Sequence, residues 1–237
     1  MRRLPAVIAL NMLGLALFFS WYLPEHHGFW PRLDNAIFLA SNHRVAASHA
    51  YAVFLAVTNY RAFDLISLLA MGLLYLYYFL HTPPRLRHRL ISLGIVMLLS
   101  AVVLNQLGHL LPVSRPSPTV FYQHNDSVVR VAQFTAIPTK DMSKDSFPGD
   151  HGMMLLIFTA YMLRYFGGRA FAWGMAIVVL FSLPRVMIGA HWFSDIAVGS
   201  LSVVLVGLSW WLMTGACDKA VVWFNQRLPG MGHWGYR

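Results

Sequence analysis

Charge is scarce in this chain. Of its 237 residues only 11% are Asp, Glu, Lys or Arg, while 57% are hydrophobic. A soluble domain carries roughly a quarter charged residues, so a water-soluble fold is excluded. The mean hydropathy of +0.55 points to a polytopic membrane protein, an all-α helix bundle. Cysteine is scarcer still: Cys217 stands alone, which excludes an intramolecular disulfide and any cysteine-rich metal site. No H-E-x-x-H pattern, internal repeat or low-complexity tract is present. Acidic residues number 9 against 18 Lys and Arg, for a formal net charge of +9. In a soluble protein that balance would suggest nucleic acid. In a membrane protein the partners are anionic lipid head groups and phosphates, with no nucleic acid. No protein partner can be inferred.

What is present is a series of long apolar runs. Arg2 and Arg3 precede one from Leu4 to about Leu23. A cleavable signal peptide has an apolar region of roughly 7–15 residues and a small-residue exit. This run is longer and ends on Ser20-Trp21-Tyr22-Leu23, so it reads as a retained helix with an aromatic anchor. Further spans are expected at about Ala62–Leu80, Leu90–Pro112, Gly152–Phe166, Ala170–Ile188 and Trp192–Met213, six helices in one domain over residues 1–237. The stretch from Pro24 to Arg61 has apolar pieces too short to span and reads as re-entrant or surface-lying. The only long polar loop, about 113–150, lies between the third and fourth helices.

Orientation follows from Lys and Arg in the connections. With both termini inside, the cytoplasmic face receives Arg2, Arg3, the cluster Arg85, Arg87 and Arg89, then Arg164, Arg169, Lys219, Arg227 and Arg237. The outer face receives eight cations, and several sit beside the chemical motifs. The expectation is a multi-pass membrane protein with its site on the outer face.

Ionisable groups at membrane depth are functional candidates by default. His191 and Asp195, at i and i+4, would share a helical face. The carboxylate could take the imidazole Nδ1 proton, leaving Nε2 as a nucleophile; a capping histidine beside an unrelated aspartate is the plainer alternative. Arg185 stands six residues before His191, and guanidinium suits phosphate oxygens. In Pro148-Gly149-Asp150-His151-Gly152, an apolar helix begins at once. Its free N–H groups would make an anion site, and His151 could donate a proton to a leaving oxygen. Arg115-Pro116 and Arg61 sit on the same outer side, where each could also be a snorkelling anchor. A metal held by His151, His191, Asp150 and Asp195 competes, but Arg115 and Arg185 would repel it. No cofactor is expected.

These motifs resemble the type 2 phosphatidic acid phosphatase superfamily, whose signatures are K-x6-R-P, P-S-G-H and S-R-x5-H-x3-D. Arg115-Pro116 matches the end of the first, Pro148 and His151 the second, and Arg185, His191 and Asp195 the third at full spacing. The resemblance implies that His191 is the nucleophile, Asp195 polarises it, His151 protonates the leaving group, and the cations hold phosphate. Pro138-Thr139-Lys140-Asp141, Asp145 through Leu156 and Pro184 through Phe193 are similar to one kind of member. That closer likeness implies transfer of the terminal phosphate of undecaprenyl diphosphate to the 1-phosphate of lipid A in the Gram-negative inner membrane. A hydrolase of the same family is the alternative, and a transporter without chemistry is the reading from another class.

Three departures stand out. Gly108 occupies the first-motif lysine position, Gly149-Asp150 replaces Ser-Gly, and Pro184 replaces the serine before Arg185. With Gly149, Asp150, Arg115 and Arg185 read as the phosphate-binding set, a further cation is needed. Arg61 is the expected one, with Asp64 at i+3 holding its guanidinium. Lys140 and Lys144 are alternatives on a loop whose ordering would cost entropy.

Overall fold

The computed structural model describes residues 3–228; Arg2 and Arg237, counted above among the inner cations, lie outside the described residues. The architecture is all-α among the described residues. Helix α1 spans Leu4–Tyr22, α2 Trp30–Ala47, α3 His49–Thr58, α4 Phe63–His81 and α5 Pro84–Gly108. After a single turn, α6 (Pro118–Phe121), come α7 (Asp150–Phe166), α8 (Gly168–Ile188), α9 (Asp195–Met213) and α10 (Ala216–Arg227). Proline opens α1, α2, α5 and α6 from their first turns, where its missing N–H costs nothing. Ser48 caps α3, its Oγ accepting from the Tyr51 N–H at 3.3 Å.

Five helices, α1, α4, α5, α8 and α9, are long and apolar enough to cross a membrane. This is a multi-pass membrane protein. The sixth expected span, α7, has 17 residues, about 26 Å at 1.5 Å per residue against a hydrocarbon core near 30 Å. It compensates by being central. Leu155, Ile157, Phe158, Tyr161 and Met162 are all buried, packed among α5, α8 and α9. The Tyr161 hydroxyl, deep in this core, is hydrogen-bonded to Ser100 at 2.6 Å and accepts from the Trp211 indole at 2.7 Å. That satisfies a group which would otherwise be costly in lipid. By contrast α4 buries only Ser67 and turns all its leucines but Leu74 outward.

The mixed stretch from Pro24 to Arg61 forms α2 and α3, neither among the candidate spans. They cover one end of α8 and α9. Ser41 donates to the Met187 carbonyl at 2.7 Å, and Asn42 exchanges hydrogen bonds with Val129 at 2.7 and 3.0 Å. At the opposite end α10 packs on α5, and Asp218 holds Arg164 at 3.0 Å and Arg89 at 3.7 Å.

Close crossings bring the motifs together. Gly149 and Gly152 let α7 start against Ile196 of α9; a Cβ on Gly152 would lie 2.9 Å from that side chain. Gly189, at φ +89°, ends α8 in the left-handed region and turns the chain back toward its own last carbonyls. Gly108 faces inward too. A Cβ there would come within 2.8 Å of Met153 and 3.0 Å of Pro148. The first-motif lysine position is therefore a packing site, not a cavity wall. We expect Gly108→Lys to destabilise the protein by about 1–3 kcal/mol through overpacking and to bring no gain in turnover. Thermal unfolding in detergent checks this.

Candidate active site

Two layers of charge meet where α2, α4, α7, α8 and α9 converge. The inner layer is buried and closed. Asp195 is fully buried beside Asp34, and the Arg115 guanidinium lies between them, at 2.8 Å from Asp34 and 3.1 Å from Asp195. Arg115 also donates to the Ser194 hydroxyl at 2.7 Å and sits over the Trp192 ring at 4.7 Å. Asp34 accepts from the Ser194 N–H at 2.9 Å and from its hydroxyl at 2.6 Å. The other Asp195 oxygen accepts from the Trp192 N–H at 2.8 Å, a carboxylate reaching back to cap its own helix. Two buried carboxylates and one guanidinium are thus nearly saturated by each other.

The outer layer lines an open cavity of about 410 Å³. Its ionisable walls are Asp64, Lys140, Asp145, Asp150, His151, Arg185 and His191. Arg185 is buried on α8 and pairs with Asp64 of α4. The Gly189 turn returns the Ala190 and His191 N–H groups to the Arg185 carbonyl at 3.0 and 3.3 Å, so imidazole and guanidinium open on the same space. His151 Nδ1 lies 3.9 Å from Asp64, and His109 approaches Asp150 at 2.9 Å.

The His191 geometry differs from expectation. His191 precedes α9 rather than sharing its face, and its Nδ1 lies 3.0 Å from the Ser146 carbonyl against 3.6 Å from Asp195. A carbonyl can only accept, so Nδ1 carries the proton and Nε2 keeps its lone pair. The main chain therefore sets the tautomer, and Asp195 supplies field at slightly longer range.

Of the residues named from sequence, Arg185, His151, His191 and Asp150 come together on the cavity wall. Arg115 does not; its two terminal nitrogens donate to Asp34, Asp195 and Ser194. Asp195 lies below the cavity. Gly149 is also buried, and its N–H, expected to face phosphate, donates instead to the Asp195 carbonyl at 3.1 Å. Asp195–Ser200 is π-helical, and the Asp195 carbonyl also accepts from the Ser200 hydroxyl at 3.2 Å. Arg61 is exposed in the turn before α4, off the wall. Asp64, expected to hold Arg61, holds Arg185. Sequence reading missed Asp34, the Ser146 carbonyl and the position of Lys140.

The family model described as the PAP2 superfamily matches residues 89–218, more than half of the chain. Lipid A 1-diphosphate synthase of Escherichia coli (strain K12) is 52% identical over 230 residues, covering 97% of this chain and 96% of that protein. No solved structure matches the chain.

Proposed function

The chain belongs to the PAP2 superfamily, and from that premise we propose that it is a phosphotransferase of the inner membrane. It takes the terminal phosphoryl group of undecaprenyl diphosphate and gives it to the 1-phosphate of lipid A. The name of the relative, identical at 52% of positions over nearly its full length, supports the choice of acceptor. One structural observation carries the chemistry: His191 Nδ1 faces a carbonyl while Arg185 shares its turn, aiming an Nε2 lone pair into a cation-bearing cavity.

In the first step Nε2 attacks the terminal phosphorus. A P–N bond forms, the P–O bond to the bridging oxygen breaks, and undecaprenyl phosphate leaves with the electron pair. In the second, an oxygen of the acceptor phosphate attacks the phosphohistidine, and the P–N electrons return to Nε2. Arg185 exchanges Asp64 for phosphate oxygens, and the freed carboxylate then faces His151. An anion in the cavity and the freed Asp64 carboxylate both favour a proton on His151, which shares it with the leaving phosphate. Asp195, at 3.6 Å, stabilises the positive imidazole ring. Most of the rate comes from positioning and preorganised charge.

The site faces the periplasm in this reading, supported by the Arg85–Arg89 cluster and the Arg164–Asp218 group at the other end. Cysteine introduced at exposed Ala136 should react with an impermeant thiol reagent in intact spheroplasts, and cysteine at exposed Arg85 should not. The native thiol, Cys217, is buried. The decisive experiment incubates pure protein with labelled undecaprenyl diphosphate, with and without lipid A. Label on lipid A supports transfer, whereas free phosphate released despite the acceptor marks a hydrolase.

A further inference from the structure

We propose that Lys140 replaces the cation lost at Gly108, sharing with Arg185 the charge of a diphosphate bound in the cavity. The inference rests on the phosphotransfer reading and assigns the second cation to that same site.

Four observations lead there. Gly108 packs inward, where a Cβ would crowd Met153 at 2.8 Å and Pro148 at 3.0 Å. Among the described residues two cationic side chains line the cavity, Arg185 and Lys140. Arg185 already pairs with Asp64, while Lys140 has no carboxylate within 4.0 Å among the described residues. Three carboxylates, Asp64, Asp145 and Asp150, share the walls. With neutral histidines the walls sum to one negative charge, and without Lys140 to two, which would oppose a polyanion.

The arm bearing Lys140 is also fixed. Its own N–H donates to the Asn59 carbonyl at 3.1 Å. The next residue, Asp141, is buried and gripped by Arg130 through contacts of 2.8, 3.0 and 3.2 Å, and its carbonyl accepts from the Thr119 hydroxyl. Binding therefore orders only the lysine stem and not a loop, which removes the entropic objection to a loop cation. A point charge on a flexible stem suits a group that must hold the donor diphosphate, then the phosphohistidine, then the product diphosphate.

The test uses full-length protein in detergent, as wild type, Lys140→Met, Lys140→Arg and Lys144→Met. Binding of inorganic pyrophosphate and of inorganic phosphate is measured by calorimetry, and melting temperature confirms folding. Lys140→Met should weaken pyrophosphate at least tenfold and phosphate much less, and should raise the KM for the diphosphate donor. Lys140→Arg should recover most of the affinity, and Lys144→Met, exposed and off the wall, should match the wild type. Equal pyrophosphate affinity in wild type and Lys140→Met overturns the proposal, as does an equal loss in Lys144→Met or a wild type that binds neither anion. Transfer of label to lipid A by the wild type is read separately. Its failure would remove the phosphotransfer reading, while a selective pyrophosphate defect in Lys140→Met would still stand.

Discussion

Replacing His191 with alanine should abolish both transfer and the covalent phosphoryl adduct. Removing a nucleophile from a concerted site costs as much as removing the whole constellation, so turnover should fall by about 10⁴-fold or more. The protein should still fold. Its imidazole is partly exposed to the cavity and makes one main-chain hydrogen bond, worth only about 1 kcal/mol. Acid-labile, base-stable label retained after incubation with labelled donor identifies the adduct in the wild type. Adduct persisting in His191→Ala but lost in His151→Ala would exchange the two roles.

Arg115→Met should fail differently, by losing the fold. The substitution leaves Asp34 and Asp195 buried together without their common cation. Breaking a buried pair from one side costs about 3–5 kcal/mol, a large part of a typical domain's stability. The expected readout is a collapsed yield in detergent or a melting temperature far below wild type. Double replacement, Arg115→Met with Asp34→Asn, should recover part of that loss, because one stranded charge is gone. If Arg115→Met melts like the wild type and only loses phosphate binding, the guanidinium is a ligand after all and the inner layer is not structural.

These residues also show what the sequence could and could not convey. The apolar runs gave the helices, since a bilayer imposes length and composition. The spacing of Arg185, His191 and Asp195 carried the family likeness, because a turn fixes which near neighbours meet. Contacts across the chain left no such trace. Asp34 reaches residue 194, and His191 reaches the carbonyl of Ser146, a group every residue has. Gly108 stands where a Cβ would crowd Met153 and Pro148, a packing reason invisible in one dimension. The spacing also misled once: H-x-x-x-D reads as a helical pair, but the Gly189 turn places His191 ahead of the helix that Asp195 caps.

The Arg115 clasp has a consequence for biogenesis. Asp34 is synthesised early, Arg115 midway and Asp195 only with the last spanning helix. Until α9 inserts, the ribosome-bound chain holds an incomplete charge set, and the Ser194 and Trp192 N–H groups that complete it do not exist. The inner layer therefore closes as a latch at the end of translation, joining the first third of the chain to the last. A chain stopped after α8 carries Arg185 but neither His191 nor the latch. It should be retained by translocon chaperones or cleared by membrane proteases rather than persist as an inactive, stably inserted protein.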